Sequence, residues 1–504
     1  MADRPPKLVL CVIDAMAPEM LERTIASGAA PVLERLVNDG LYVSDCVAAF
    51  PSVTPVCAAS IVTGRGQDEH MIPAMNWYHR EEERYVEYGS SFRAAQRFGI
   101  ARQLTDTVYN MNRAHLAADT LTVFESLDDA GIRTAGTTYL MYRGRHRHEP
   151  KRDTALARVA ATLMRHPVMG PRELFYADIF ASQRTSCRSA LGMPGVRDRH
   201  SACVSEYMVE HDLFDFLLLS LPDNDWHSHK RGPEGQLQSL AQADLQLARV
   251  ANAAGGLDAF LSEHAVIVMA DHSQAPVEAA IDLQEELAEL GVLGPTRPPR
   301  AGRGSRAEAV EPRVAVCPSQ RAAMVYALHG DERDAMRASA AALAMTVEGV
   351  DLVMWLERDA HDAPREAVVA SRERGELRFA PGTQVRDLRG RGWQWAGELG
   401  ALSASVEDGV LASAEYPDAL SRVWSALMCP TSGEVLLSAV PGWEFADWGG
   451  QAHVGGGSHG SLHASDSLGA LIVSGAALPD PAPAQWSIRD VAALSLAHFG
   501  LAAA

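Results

Sequence analysis

The stretch KLVLCVIDAM, residues 7–16, is an unbroken apolar run that stops on an acid. Apolarity without alternation is what a strand buried on both faces requires. It predicts a parallel strand over Lys7–Ile13, with Asp14 presented at its carboxyl end. The run is too short for a membrane span and ends in an acid, not a small-residue cleavage site, so it reads as a first strand and not a signal peptide. The same design recurs. Phe214–Leu221 leads into the acids of DNDWHSHKRGP (223–233), Ala265–Ala270 leads into Asp271-His272, and Ala470–Val473 is a further short run. Helical patterns lie between. Pro18–Asn38 reads as one amphipathic helix, with Met20, Leu21, Ile25, Val32, Leu33 and Leu36 near helical spacing, and Ser487–Leu501 as a last helix with Ser487 as its cap and Asp490 three residues on. This alternation predicts an α/β fold: a mainly parallel central sheet with helices on both faces, whose ligands gather at the carboxyl ends of the strands.

Two stretches break the pattern. Leu293–Arg313 is rich in Pro, Gly and Arg and predicts an exposed loop, while Glu357–Gly382 is charged and poorly periodic. The expected organisation is a core from 1–292, a loop plus inserted α+β cap or subdomain over 293–441, and completion of the core by 442–504. With 504 residues and an apolar fraction of 47%, the chain can bury a large core. Its formal charge of −19 argues against nucleic-acid binding. No segment reaches membrane-spanning length, and the oligomeric state is left open. Seven cysteines, scattered and without a C-x-x-C pair, suit free thiols in a reducing compartment, so a cytoplasmic location is expected.

Function concentrates in clusters at the strand ends. Carboxylates and imidazoles delivered from several strands suit zinc or a similar divalent ion. Asp14 alone reads equally well as a turn residue. Thr54, in FPSVTPVCAASIVTG (50–64), stands where a helix begins; it reads either as an N-cap or as a hydroxyl beside free N–H groups that could cradle a phosphate. Within 223–233 two D-x-x-x-H pairs are available, Asp223 with His227 and Asp225 with His229, read as one polar strand-end loop. Asp271-His272 closes a buried run, and two adjacent metal-competent groups there need partners. In GGGSHGSLHASDS (455–467), glycines around His459 permit close backbone approach to a ligand, and His463 is an alternative. The basic stretch Tyr142–Arg152 reads as a solvated loop or an anion contact.

In this order the clusters resemble the alkaline phosphatase superfamily, and within it the type I phosphodiesterase/nucleotide pyrophosphatase family. VIDAM matches that family's I-D-G with Ala15 for Gly, and PSVTPVCAASIVTG keeps the threonine and the closing Val62-Thr63-Gly64. Ser228-His229-Lys230-Arg231-Gly232-Pro233 reproduces G/S-H-x-x-G-P, and Asp271-His272 matches the SDHG motif. The resemblance implies a metal-dependent hydrolase of small phosphate esters, most readily of phosphodiester or nucleotide pyrophosphate bonds, through a phosphothreonine on Thr54. It implies one metal on Asp14, Thr54, Asp271 and His272 and a second on Asp225, His229 and His459, with zinc favoured over manganese by the three imidazoles. Asp223 keeps a claim because it follows Pro222, as the family's acid follows its proline. Cys57 replaces the family's Asn. Asn76, in HMIPAMNWY, is the expected substrate-binding amide. A phosphomonoesterase or phosphotransferase of the superfamily, with Arg65 near the phosphate, and a non-catalytic phosphoryl-binding protein are the alternatives.

Overall fold

Lys7–Ile13 forms β1 and lies inside the main sheet of this computed structural model, which describes residues 5–151, 165–177, 179–189, 196–295, 311–359 and 362–502. After β1 come helices Pro18–Ala26 (α1) and Pro31–Asp39 (α2), strand Leu41–Val47 (β2) and helix Thr54–Thr63 (α3). Strands Thr134–Gly136 (β3), Glu173–Tyr176 (β4) and Phe180–Ala181 (β5) follow, then helix Arg197–Glu210 (α4) and strand Phe216–Leu221 (β6). Helices Asp223–Arg231 (α5) and Gln236–Asn252 (α6) lead to strand His264–Met269 (β7). The chain closes with helix Ala419–Met428 (α7), strand Leu468–Ser474 (β8) and helix Asp490–His498 (α8).

The sheet order is β2-β8-β7-β1-β6-β3-β4-β5. The interior pairs β7/β1, β1/β6, β6/β3 and β3/β4 are parallel, and the flanking pairs β2/β8, β8/β7 and β4/β5 are antiparallel. The predicted mixed α/β fold with a large, mainly parallel sheet is the one observed. Register places Ile13 beside Leu221 and Val12 beside Met269. Asp14, the start of α5 and Asp271 therefore leave the sheet at one edge. Successive β1 residues feed two cores. Leu8, Leu10 and Val12 share one with Ile61 of α3 and Val491 of α8, while Val9, Cys11 and Ile13 share the other with Leu21, Leu33, Val204 and Leu240.

Three expectations are corrected. The single helix over Pro18–Asn38 is two, because Pro31 has no N–H to continue the ladder, and Gly28, at φ 75°, turns the chain between them. Asp223–Pro233 is not a loop but largely helix, α5, so Asp225 and His229 stand one turn apart on one face. Glu357–Gly382 holds strand Pro364–Ser371 and most of strand Gly375–Asp387; its charges pair across the ladder, Arg378 with Glu366 at 3.1 Å, and so obscure the pattern. Most of Leu293–Arg313 lies outside the described residues. At the last helix, the Asp490 carboxylate accepts from the Ser487 N–H at 2.9 Å, one half of a capping box, and the helix itself begins at Asp490.

Residues 314–439 build a second, mainly antiparallel sheet that includes the hairpin Val314–Ser319/Ala322–Ala327 and the strands Val350–Arg358 and Val435–Ala439. Its Met354, Leu356, Val369 and Phe379 belong to the same buried core as Leu10 and Ile61, so this sheet covers one face of the main one. Cys187 and Cys203 form a disulfide, against the expectation of a fully reduced chain; their separation of 16 residues gave no spacing signal. The other five cysteines are buried. Among the described residues no helix is long and apolar enough to cross a membrane.

Arg422 on α7 ties the two sheets. It is wholly enclosed and donates to the carbonyls of Ala49 and Leu462 at 3.0 Å, to the Pro417 carbonyl at 3.1 Å and to Ser467 Oγ at 2.6 Å. Arg422→Met keeps most of the volume but strands those acceptors. We expect a loss of roughly 3–4 kcal/mol in urea unfolding, because each buried acceptor left unpaired costs about 1–3 kcal/mol before relaxation. A loss below about 1 kcal/mol would show that water or neighbours replace the guanidinium.

Candidate active site

The seven residues expected to hold metal come together. Asp14 follows β1, and its backbone N–H donates to the Leu221 carbonyl at 3.2 Å. Ala15, where the family has glycine, adopts φ 59°, a left-handed conformation that glycine enters without strain. Its N–H donates to Asp271 Oδ1 at 3.1 Å, and the His272 N–H donates to the same oxygen at 3.0 Å. His272 Nε2 then lies 3.6 Å from Asp14 Oδ1, 3.4 Å from Asp271 Oδ2 and 3.3 Å from Thr54 Oγ1. Thr54 is the first residue of α3; Val53 occupies the cap position and no side-chain cap bond forms, so the N-cap reading of Thr54 is set aside. Its hydroxyl sits instead at the positive end of the helix dipole.

The second group adjoins the first. Asp225 Oδ1 lies 3.4 Å from His229 Nε2 and 3.6 Å from His459 Nε2, and the His459 ring stacks on His272 with centroids 3.7 Å apart. Two sets have ligand atoms mutually close enough to share an ion: Asp14, Asp271 and His272, and Asp225, His272 and His459. The competing residues are engaged elsewhere. Asp223 accepts from Arg197 Nε at 2.8 Å and from the Asp198 N–H at 3.1 Å, His227 packs edge-on to Trp226, and His463 accepts from the Ser465 N–H at 3.1 Å.

Hydrogen bonding orients all three imidazoles alike. Nδ1 faces a carbonyl in each: Gly457 for His229 and Ser52 for His459, both at 2.7 Å, and Ser273 for His272 at 3.1 Å. A nitrogen facing a carbonyl must carry the proton, which leaves the Nε2 lone pairs turned toward carboxylates. Lone pairs converging on anions repel unless a cation lies between them. Two carboxylate oxygens, Asp14 Oδ1 and Asp271 Oδ2, are buried without a hydrogen-bond partner. Burial, with Asp271 and Asp225 nearby, pushes the Asp14 carboxyl well above its ordinary range. Burial opposes ionisation of Asp225, and His229, His459 and His272 when protonated outweigh it, so positive charge at this point holds that carboxyl well below the usual value. The mixed nitrogen and oxygen donor set fits a borderline divalent ion.

The site opens on a cavity of about 850 Å³ whose wall includes Phe92, Ile100, Leu104, Tyr139 and Tyr176 beside Thr54, Asp14 and His459. Asn76 does not line it; its Nδ2 is given to the Val86 carbonyl at 3.0 Å, and Met75 faces the cavity instead. Cys57, on α3, is buried in the core. The arginines of Tyr142–Arg152 turn away: Arg143 and Arg145 bind Glu125, Arg145 also binds Asp129, and Arg152 lies outside the described residues. Sequence reasoning missed Gln274, whose Nε2 donates to Asp225 Oδ1 at 2.5 Å, although it directly follows Asp271-His272-Ser273. It also missed His453, which stacks on His229 at 4.0 Å with its Nδ1 on buried Glu444 at 2.8 Å; neither residue belongs to a motif.

The model of the type I phosphodiesterase/nucleotide pyrophosphatase family matches residues 8–462. This chain belongs to that family. No curated protein matches it. Among solved structures it is similar to the phosphonoacetate hydrolase of Sinorhizobium meliloti 1021 bound to phosphonoformate, at 17% identity and a TM-score of 0.53, covering 99% of this chain and 96% of that one. It is also similar to murine ectonucleotide pyrophosphatase/phosphodiesterase 5, at 11% identity and a TM-score of 0.56, with the same coverage. An inactive form of the murine protein has been solved with AMP. At these identities the likeness establishes the fold, that of the metal-dependent alkaline phosphatase superfamily.

Metal removal tests the donor cluster directly. Prolonged chelation should lower Tm, and zinc should restore it, because bound ions stabilise by about 4 kcal/mol at a thousandfold excess over Kd. Elemental analysis should show metal lost in step with Tm. Identical melting of the native and chelated protein would count against bound metal.

Proposed function

We propose that this protein hydrolyses phosphodiester or nucleotide pyrophosphate bonds through a phosphothreonine on Thr54. The observation that carries the reading is the position of Thr54 Oγ1: at the first residue of α3, 3.3 Å from His272 Nε2, and on the wall of a large cavity with an extensive apolar lining. Asp14, Thr54, Asp271 and His272 would hold one divalent ion, and Asp225, His229 and His459 a second, with zinc the best match to three imidazoles. Bound there, such ions lower the pKa of a coordinated hydroxyl and neutralise phosphoryl charge.

The residues supply the rest. The start of α3 holds Thr54 Oγ1 in place and adds the favourable field of its dipole. Its oxygen forms a bond to phosphorus as the ester bond to the leaving group breaks, and the departing oxygen takes up a proton. Water then attacks the phosphothreonine, releasing a phosphate monoester and restoring the hydroxyl. Carbonyl bonds to the three Nδ1 atoms keep the imidazoles from turning during this exchange, which limits reorganisation.

The monoesterase alternative asks for cations around a dianion. Arg65 lies beyond the far end of α3, about 15 Å along the helix from Thr54 by helical rise, and pairs with Glu69 at 3.2 Å. Arg197 lines the cavity, but its Nε binds Asp223 and its Nη2 binds the Pro222 carbonyl at 3.1 Å. Lys230 stacks over Trp226 at 4.1 Å. The apolar wall suits an organic ester group better than a bare dianionic phosphate.

Zinc-loaded protein should hydrolyse bis-p-nitrophenyl phosphate and a dinucleotide pyrophosphate faster than p-nitrophenyl phosphate. Phosphonoacetate in the same panel addresses the chemistry named for the bacterial neighbour. Thr54→Ala should lower kcat by on the order of a thousandfold or more while metal content holds, and Thr54→Ser should keep a measurable part of it. A fully active alanine variant would remove Thr54 from the mechanism.

A further inference from the structure

Part of the cavity lining comes from two short helices, and it is apolar where a protein surface is normally polar. Helix Phe92–Phe98 contributes Phe92 and Ala95 to the cavity, and helix Ile100–Thr105 contributes Ile100, Gln103 and Leu104. Spacings of three and four residues place each set on a single helical face. At 68% exposure Phe92 is the most exposed large apolar side chain among the described residues, and Ile100 is 41% exposed. Helix Ile100–Thr105 has no buried residue. Core packing therefore does not account for Phe92 or Ile100.

Their exposure is not that of a loose end. Ser91 Oγ caps the first helix by accepting from the Ala94 N–H at 3.0 Å, and Ala94 and Ala95 are buried. Phe98 packs against Tyr85 with ring centroids 5.5 Å apart and edge-on to Trp448 at 6.4 Å; the Trp448 indole N–H donates to the Val316 carbonyl of the second sheet at 3.0 Å. A Cβ on Gly449 would stand 2.5 Å from the Arg93 Cβ, so the chain closes tightly on this helix. Leu104 carries the apolar surface onto the buried cluster that includes Tyr176, another cavity residue. The fold thus holds Phe92, Ile100 and Leu104 on the cavity that Thr54 and the carboxylate–imidazole cluster share.

The polar groups around them decide which occupant they suit. Ser90 Oγ donates to Glu87 at 2.8 Å, and Gln103 gives its amide nitrogen to Thr107 Oγ1 at 3.1 Å. Thr138 Oγ1 accepts from the Ala177 N–H at 2.8 Å and donates to the Phe175 carbonyl at 3.3 Å. A nucleobase laid on such a surface leaves its own donors and acceptors unpaired, whereas a hydrocarbon chain has none to lose. At about 850 Å³ the cavity is far larger than a phosphoryl group needs, and it falls in the range that encloses a whole organic ligand.

We propose that Phe92, Ile100 and Leu104 form a subsite for an apolar ester group of the substrate, a hydrocarbon chain carried on the phosphoryl group that Thr54 attacks. This rests on the phosphoryl-transfer reading above and narrows its substrate class to esters bearing an extended hydrocarbon group.

Alkylphosphonates mimic the product monoester and have no ester bond to hydrolyse, so their binding to the zinc-loaded protein, followed by calorimetry, needs no turnover. Affinity should rise about twofold to fourfold per methylene from methylphosphonate to hexylphosphonate, the upper figure corresponding to full burial of each methylene. The double variant Phe92→Ser/Ile100→Ser should flatten this series, with zinc content and Tm as in wild type because both side chains are exposed. AMP should bind more weakly than hexylphosphonate. A flat series in the wild type, or a gradient that survives in the double variant, overturns the subsite. AMP binding more tightly than hexylphosphonate makes the pocket a nucleoside site and overturns it too. So does a wild-type dimer that the double variant dissociates, without a gradient, since the patch then belongs to a second copy of the chain. If the gradient is present but bis-p-nitrophenyl phosphate is not hydrolysed, the phosphodiesterase reading fails and the subsite stands.

Discussion

Three carboxylates forced together at the end of a buried sheet set the terms for the rest of this structure. Asp14 and Asp271 follow neighbouring parallel strands, so sheet register brings them together, and the first turn of α5 adds Asp225 beside them. Like charges this close in a partly desolvated site repel strongly. The protein does not relieve them with lysine or arginine. It surrounds them with imidazoles whose protons point outward to carbonyls, so their lone pairs add to the electron-rich centre. Such an arrangement is stable only around positive charge, which is why the donor set itself argues for metal.

That centre is shared between two sheets. The main sheet supplies Asp14, Asp271 and, through α5, Asp225 and His229. The loop carrying His459 lies between the sheets, and its position depends on bonds from both: Ser52 on one side, Arg321 on the other. The second sheet is thus more than a cover. Arg422 and the Arg321–Asp466 pair carry lines of hydrogen bonds from its strands to the loop before β8. Buried arginines of this kind contribute position more than net stability, since their desolvation offsets much of what their bonds gain.

The legible parts of the sequence were those where chemistry and burial coincide locally. Each apolar run ending on an acid predicted a strand and a site residue together, because a parallel strand must be apolar throughout and the first polar group marks its end. The i,i+4 pair Asp225/His229 was visible, but DNDWHSHKRGP is so polar that it read as a loop; only packing against α6 and the strand ends makes it a helix. The second sheet was obscured because charged residues pair across its ladders, which breaks the alternation that announces a strand. Gln320, Gln274 and His453 are brought to the site by tertiary contacts, with no local spacing to reveal them. The Cys187–Cys203 pair was hidden for the same reason.

Backbone strain recurs at two positions beside the site. Among the described residues, ten non-glycine positions have positive φ, and four of them, Asp212, Asp362, Asp408 and Asp418, are aspartates, a residue type that tolerates this conformation. Ala15 and Gln320 are different. Neither has a side chain that offsets the strain, which is on the order of 1–2 kcal/mol per residue, and both adjoin the cluster of carboxylates and imidazoles. Each is held by bonds from distant elements: Ala15 by Asp271 and Gln236, Gln320 by Phe445. At Ala15 the left-handed turn aims the Asp14 carboxylate and brings the next N–H onto Asp271, so the strain is repaid inside the site. At Gln320 the corresponding return is missing from the protein alone.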